Sequence, residues 1–365
     1  MFILITAALI LFGIKTAPKG EYFSDSFSVG QTRALKGIFA IVVIFHHLYG
    51  VLLPSFLSIK YFRDLGFLMV GGFFLISGYG LMYGVKNKKN YLKGFFFKRI
   101  LAIVIPYYVI DSFYVIMRYM NTTDMDAFKV YLKESLMGLQ FWFVPVMVLL
   151  YVLFRVSFIG HEKRENKLIS PLLLTFLTLA YVVLFTLTQQ TGHNLLYGCE
   201  WNDTVLCFTV GMWYCILKER LAPVLMKHYY VFTAVIAVLF AVSFVLVMKL
   251  PPYVWPTSPY RLTLRIAASV LFCGAVLLLS MKIKLGNKVI NACGDLSFEL
   301  YMSHAIFIKV FRYGTVWLFG HYVPLVIEND FVYVAAILVT SFVFSFVIHK
   351  LCGLLLKPLQ RLAKK

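Results

Sequence analysis

The sequence RALKGIFAIVVIFHHL, residues 33–48, combines a basic start, a long apolar run and a pair of histidines. A run of this composition is typical of a helix that crosses a membrane. Lys36 and His47 are separated by eleven positions, so on a helix they lie about 20° apart around the axis and about 16 Å apart along it. With Lys36 near one membrane surface, His47 is predicted close to the middle of a hydrocarbon core about 30 Å thick.

His47 is therefore a functional candidate. An ionisable side chain is costly inside the hydrocarbon core, so a residue of this kind is a functional hypothesis by default. The alternative is a histidine that serves packing alone, and the cation on the same helix face favours function. His46 projects about 100° away from His47, so we do not expect the two histidines to serve one face.

Composition indicates the class of protein. Of the 365 residues, 61% are hydrophobic and only 14% are charged, whereas charged residues make up about 25% of a soluble domain. We predict an all-α polytopic membrane protein with about ten core transmembrane helices, because apolar segments of spanning length recur along the chain. These segments occupy residues 34–53, 66–85, 99–119, 137–159, 168–188, 203–217, 226–248, 262–281, 296–318 and 330–356.

The N-terminal residues are predicted to form a separate element. Residues 1–14 are apolar but short for a transmembrane helix. They predict a short extra N-terminal helix that either spans the membrane or lies at its surface. The predicted domains are an N-terminal apolar helix and linker at 1–32, a transmembrane domain at 33–358 and a basic cytoplasmic tail at 359–365.

The net charge of +19 could suggest nucleic acid as a partner. However, the basic residues are concentrated in alternate loops, which is typical of the cytoplasmic face of a membrane protein. These loops are 86–99, 155–167, 218–227, 282–288 and 350–365. We therefore predict no nucleic-acid partner, contact with membrane lipid, and a multi-pass location in the cell membrane, as in a bacterial plasma membrane, with a cytoplasmic C-terminus. The six cysteines have no metal-ligand spacing, so no metal site is predicted.

Three further polar residues are predicted near the middle of the membrane. Counted at about 1.5 Å per residue from the helix ends, Ser77, Asp111 and His304 lie at similar depths to His47. Isolated polar groups are costly in lipid, so these four side chains predict a shared polar cavity. The alternatives are a small-residue helix contact for Ser77, an ion pair for Asp111 and a backbone hydrogen bond for His304.

Two loops carry further candidates. In the basic run of residues 86–99, Lys98 and Arg99 begin a helix and could hold a phosphate-rich cofactor from the cytoplasm. The alternative for this run is an orientation signal that contacts anionic lipid. On the opposite side, Glu200, Trp201 and Asp203 are candidate sugar contacts, with a membrane-interface anchor as the alternative for the aromatic residue.

Five segments in this order resemble acyltransferase family 3, a family of integral-membrane O-acyltransferases that modify bacterial surface polysaccharides and related acceptors. Lys36 and His47 occupy the two positions of the family's Arg-x10-His signature. The other segments are FFLISGYGL (73–81), FFFKRILAIVIPYY (95–108), FWFVPVMVLLY (141–151) and CGDLSFELYMSH (293–304). The resemblance extends over residues 30 to 356.

The sequence departs from the family pattern at two positions. The signature arginine is Lys36, which keeps the charge but loses the bidentate fork, and Arg33, about 60° away around the helix, is a candidate to compensate. The second cation of the family's R-x-x-R pair, which begins at Arg99, is replaced by Ala102.

The resemblance implies transfer of an acyl group, most often acetyl, from cytoplasmic acyl-CoA to a hydroxyl of a cell-surface or lipid-linked glycan. It implies no permanently bound cofactor, because acyl-CoA is a substrate. His47 would act as base or acyl relay, and His304, Ser77 and Asp111 would orient groups or handle protons. Contacts to the donor would come from Lys36, Arg33, Lys98 and Arg99.

The main alternative is a multi-span transporter or flippase of a glycan or small anionic solute. Such a protein also has ionisable residues at the membrane midplane. Internal repeats with broken helices would be expected of it, and the sequence contains no obvious duplication.

Overall fold

Helices account for most of the regular structure. The computed structural model describes residues 2–52, 61–190, 199–249, 258–318 and 321–362. The α-helices are α1 (Phe2–Leu11), α2 (Val29–Leu48), α3 (Gly66–Asn87), α4 (Leu101–Met120), α5 (Met125–Leu136), α6 (Phe143–Ser157), α7 (Ile169–Gln190), α8 (Leu206–Lys227), α9 (Tyr229–Lys249), α10 (Pro259–Lys282), α11 (Lys288–Asp295), α12 (Ser297–Tyr313) and α13 (Asp330–Leu362). A π-helical turn, Phe96–Ile100, leads into α4, and single 3-10 turns lie at Leu139–Phe141, His161–Lys163 and Cys199–Trp201. The strands are β1 (Lys15–Thr16), β2 (Ile283–Lys284), β3 (Thr315–Leu318) and β4 (His321–Pro324).

Eight helices in the described residues are long and apolar enough to cross a membrane. The prediction of an all-α polytopic membrane protein is confirmed, and each of the ten predicted segments contains a helix. The helices of the other two predicted segments, α8 and α12, do not meet these requirements of length and apolar composition. Helix α8 carries the charged run 218–220, and α12 is only 17 residues long.

Helices α2 and α3 lie at the centre of the bundle. In the apolar stretches of α2 and α3, 61% and 72% of the residues are buried, compared with 11% in α9. Helix α3 packs closely along α8, because a methyl group at Gly78 would collide with the backbone of Phe208, and one at Gly211 with the backbone of Leu75. Small residues thus allow the two backbones to approach, as in other membrane bundles.

Helix α2 begins and ends five residues earlier than predicted. Ser28 caps its N-terminus, where the hydroxyl accepts a hydrogen bond from the Gln31 backbone at 3.4 Å. Lys36 therefore lies about 10 Å inside the helix at 1.5 Å per residue, and His47 lies in the last turn. The predicted depth of His47, close to the middle of the hydrocarbon core, stays a prediction.

The N-terminal segment is attached to the end of α10. Strand β1 pairs antiparallel with β2, and the Lys282 ammonium donates to the carbonyls of Pro18 and Glu21 at 2.9 and 2.6 Å. Asp25 forms an ion pair with Lys284 at 2.6 Å. Helix α1 has ten residues and is about 15 Å long, half of the hydrocarbon core. Of the two predicted alternatives for this helix, its length favours a position at the membrane surface.

Candidate active site

Three histidines meet where α2 ends against α12. The ring centroids of His46 and His47 are 4.9 Å apart, and those of His47 and His304 are also 4.9 Å apart. His46 projects towards α3, where a side chain at Gly66 would collide with its ring. Its contact with His47 was not expected from the angle between neighbouring residues on a helix. We call these three residues the histidine cluster.

The tautomer of His304 follows from its hydrogen bond. Its Nδ1 lies 3.0 Å from the carbonyl oxygen of Leu300, and a carbonyl can only accept, so Nδ1 carries the proton. The lone pair is then on Nε2, which is buried and has no hydrogen-bond partner among the described residues. The backbone hydrogen bond given above as the alternative for His304 is present. It leaves Nε2 of His304 as a proton acceptor beside His47.

His47 differs from its neighbours in accessibility. His47 is an exposed residue, whereas His304 is 2% exposed and Phe45, two residues before His47, is buried. Of the three histidines, His47 is therefore the most accessible to a substrate. Among the residues that the structure describes, no three or more His, Cys, Asp or Glu side chains are arranged to hold a metal ion.

A cavity of about 200 Å³ lies beside α2 on the Lys36 side. Helices α2, α3, α4, α6 and α12 contribute its walls. Its polar lining consists of Lys36, Ser77, Tyr151, Ser297 and Tyr301, and its apolar lining consists of Phe73, Ala102, Ile103, Phe143, Met147 and Phe298. Within the described residues Lys36 is the only cation of this lining. We call this space the Lys36 cavity.

Tyr301 lies between the Lys36 cavity and the histidine cluster. Its ring centroid is 5.0 Å from that of Phe143 in the cavity wall and 6.4 Å from that of His304. Tyr301 and His304 are three residues apart on α12 and therefore neighbours on one helix face. The predicted shared polar cavity is thus two adjoining sites, with Lys36 and Ser77 in one and His47 and His304 in the other.

Residues 32–350 match the family model of the acyltransferase domain, acyltransferase family 3. The chain belongs to this acyltransferase family. The match confirms the resemblance in the five segments and favours an enzyme over a transporter. No curated protein and no solved structure matches the chain.

Of the predicted donor contacts of the acyltransferase, only Lys36 lines the cavity. Arg33 forms an ion pair with Asp295 of α11 at 3.0 Å, so its charge is already matched. Lys98 is exposed and donates to the Lys93 carbonyl at 2.9 Å. Arg99 donates to the Tyr91 hydroxyl at 2.5 Å.

Arg99 nevertheless lies at the margin of the cavity. It belongs to the π-helical turn before α4, three residues before Ala102 in the cavity wall. Its guanidinium carbon is 5.5 Å from the centre of the Tyr91 ring, and a π-helical turn is frequent at functional sites. The small side chain at Ala102 leaves this part of the wall without a second cation.

Asp111 is bonded to α5 of the acyltransferase. It is buried and accepts a hydrogen bond from the Ser135 hydroxyl. The Tyr107 hydroxyl donates to the Ser135 carbonyl at 2.5 Å, which reinforces the same contact. The partner of Asp111 is therefore a serine and not the basic residue of the ion pair given above as the alternative. Asp111 does not line the Lys36 cavity. Its proton-handling role stays a prediction.

The loop before α8 contains an ion pair that the sequence did not predict. Asp203 is fully buried and lies 2.7 Å from Arg265 of α10, whose guanidinium is 4.1 Å from the centre of the Phe67 ring. Burial raises the pKa of the Asp203 carboxyl, and Arg265 opposes the shift. Trp201 is 6% exposed. Neither Asp203 nor Trp201 is therefore accessible to a sugar, whereas Glu200 is half-buried.

Proposed function

We propose that this acyltransferase moves an acetyl group from cytoplasmic acyl-CoA to a hydroxyl of a cell-surface or lipid-linked glycan, in a bacterial plasma membrane with the C-terminus in the cytoplasm. The observation that carries the proposal is the order of sites along α2. A cavity that contains a cation lies towards one end of the helix, and an exposed imidazole lies at the other, with Tyr301 between them.

The donor would bind from the side of the basic loops. The loop 86–99 joins α3 to α4, two helices that line the Lys36 cavity, and Lys98 and Arg99 lie at its end. Phosphate groups of acyl-CoA are strong acceptors for such cations. The thioester arm would then extend through the Lys36 cavity towards Tyr301, past Ser77 and Ser297, which can donate hydrogen bonds.

Two chemical routes are compatible with the histidine cluster. In the first, His47 takes the proton of the acceptor hydroxyl, the oxygen attacks the thioester carbon, the C–S bond breaks, and the proton passes to the departing thiolate. In the second, a nitrogen of His47 attacks the carbon and expels the thiolate. The hydroxyl then attacks the acyl-imidazole, the C–N bond breaks, the acyl ester forms, and the hydroxyl proton passes by way of the imidazole to the thiolate. In either route the lone pair on Nε2 of His304 stabilises a proton on the neighbouring ring of His47.

Labelling of membranes tests the proposal. Membranes that contain the full chain are supplied with radiolabelled acetyl-CoA, and label in the glycan fraction is measured for the wild type, His47→Ala and His228→Ala. His228 is exposed in the turn between α8 and α9, so it serves as the matched control. We expect His47→Ala to lose about 10²- to 10⁴-fold in rate and His228→Ala to match the wild type.

Equal labelling by His47→Ala would remove His47 from the reaction. No labelling by the wild type with any acyl-CoA would contradict the proposed function. Acid quenching during turnover separates the two routes, because label on His47 itself appears only in the relay. Mass spectrometry of surface glycans from cells with and without the chain identifies the acceptor.

A further inference from the structure

Three aromatic rings close the end of the Lys36 cavity that is nearest the histidine cluster. Helices α3 and α6 start on the side of the histidines, so Phe73 and Phe143 lie above Ser77 and Tyr151 in the wall. Helix α12 runs the other way, so Tyr301 lies one turn above Ser297. We call Phe73, Phe143 and Tyr301 the aromatic cap.

The rings of the aromatic cap contact one another. The centroids of Phe73 and Phe143 are 6.3 Å apart, and those of Phe143 and Tyr301 are 5.0 Å apart. All three side chains are at most 9% exposed. Beyond them the next ring is that of His304, 6.4 Å from Tyr301.

Packing from behind holds the aromatic cap in place. Phe143 stacks on Phe74 at 5.3 Å, and Phe73 meets the edge of Phe39 on α2 at 5.7 Å. Phe74 is fully buried. Since densely packed interiors yield little to an inserted methylene, the rings of the cap leave little room for a longer acyl chain at this end of the cavity.

We propose that the aromatic cap determines the length of the acyl group that this acyltransferase accepts, and that it restricts the donor to short chains such as acetyl. The inference rests on the proposed function, because it concerns the leading end of an acyl thioester. A chain that enters along the cavity meets the rings with its terminal methyl group. Each added methylene then holds the thioester carbon further from His304 and His47.

Substitution of the cap tests this inference. The ratio of kcat/KM for acetyl-CoA to that for butyryl-CoA is measured in membranes with the full chain, for the wild type, Phe143→Leu and Tyr301→Leu. One methylene in an apolar pocket is worth about 10- to 200-fold in discrimination. We therefore expect the wild type to prefer acetyl, and each variant to lower the ratio by at least about tenfold.

Two matched variants act as controls for the ratio. Phe154→Leu makes the same change at a fully buried phenylalanine on α6 that does not line the cavity. Tyr301→Phe removes the hydroxyl, for which the described residues provide no hydrogen-bond partner, and keeps the ring. Both are expected to retain the wild-type ratio.

The possible results separate this inference from the proposed function. A wild type that transfers acetyl, with unchanged ratios in Phe143→Leu and Tyr301→Leu, overturns the role of the cap and leaves the enzyme intact. A wild type that uses butyryl-CoA as readily as acetyl-CoA does the same. Should Phe143→Leu fail to accumulate in the membrane, the ratio for Tyr301→Leu decides. A wild type that is inactive with every acyl-CoA contradicts the proposed function itself.

Discussion

At the scale of single residues, Lys36 is distinguished by its surroundings. It is the cation of the Lys36 cavity among the described residues, whereas Arg33 is paired with Asp295. The sequence singled out Lys36, Ser77, His47 and His304, and the structure places them in two adjoining sites. The sequence could not reveal the ion pair of Arg33 with Asp295, because Asp295 lies on α11, far along the chain.

The charge of Lys36 should control donor binding. We expect Lys36→Glu to raise the KM for acyl-CoA by about 10- to 100-fold, since a charge-assisted hydrogen bond contributes about 1.5–3 kcal/mol. Lys36→Arg keeps the charge and should remain active. Steady-state kinetics on membranes measure both, and Lys163→Glu, in an exposed turn, is the control. An unchanged KM in Lys36→Glu would refute the donor role.

His304 should affect turnover more than binding. In His304→Gln the amide can still donate to the Leu300 carbonyl, but the lone pair that accepts a proton is lost. We expect kcat to fall about 100-fold or more with KM within about twofold, because general acid–base assistance contributes at least that much. A rise in KM with constant kcat would instead assign His304 to substrate binding.

At the scale of helices, the ten long segments were predictable because apolar length dominates in lipid. Helix α5 was missed because it is amphipathic and short, although Asp124, which caps it by accepting from Asp126 and Ala127 at 3.0 Å, was a readable signal. The boundary of α2 was missed because Ser28 was assigned to a linker.

The contact between α3 and α8 should depend on its glycines. We expect Gly78→Ala to lower the stability of the bundle by about 1–3 kcal/mol, because the added methyl group overpacks the interface. Gly80→Ala is the matched control on the same helix, since nothing lies within 4 Å of a methyl group there. Thermal unfolding of the purified protein in detergent compares them. Equal melting temperatures would show that the helices can separate slightly at no cost.

At the scale of the whole molecule, the attachment of the N-terminal segment was not predictable, because β1 and β2 are separated by most of the chain. Lys284 holds the pKa of Asp25 below its usual value. The ion pair therefore contributes stability above about pH 4, and that contribution is lost as the pH falls through the lower pKa of the folded state. Because both side chains are partly exposed, the contribution is below about 1 kcal/mol.

Hydrogen exchange can detect this attachment. We expect Asp25→Asn to speed exchange of the β1 backbone amides at neutral pH by less than about fivefold, with the transmembrane helices unaffected. Addition of salt should reduce the difference between the variant and the wild type. Identical exchange in β1 would show that the strand pairing alone holds the segment.

The position of Tyr301 has a consequence for the membrane as an insulator. An enzyme that passes an acyl group across the bilayer needs openings towards both faces, and a continuous water path between them would short-circuit the ion gradients of the cell. The three buried rings of the aromatic cap, with Tyr301 nearest to His304, lie between the Lys36 cavity and the histidine cluster. Under the proposed function, the rings that meet the incoming thioester are therefore also expected to keep protons and salts from leaking through.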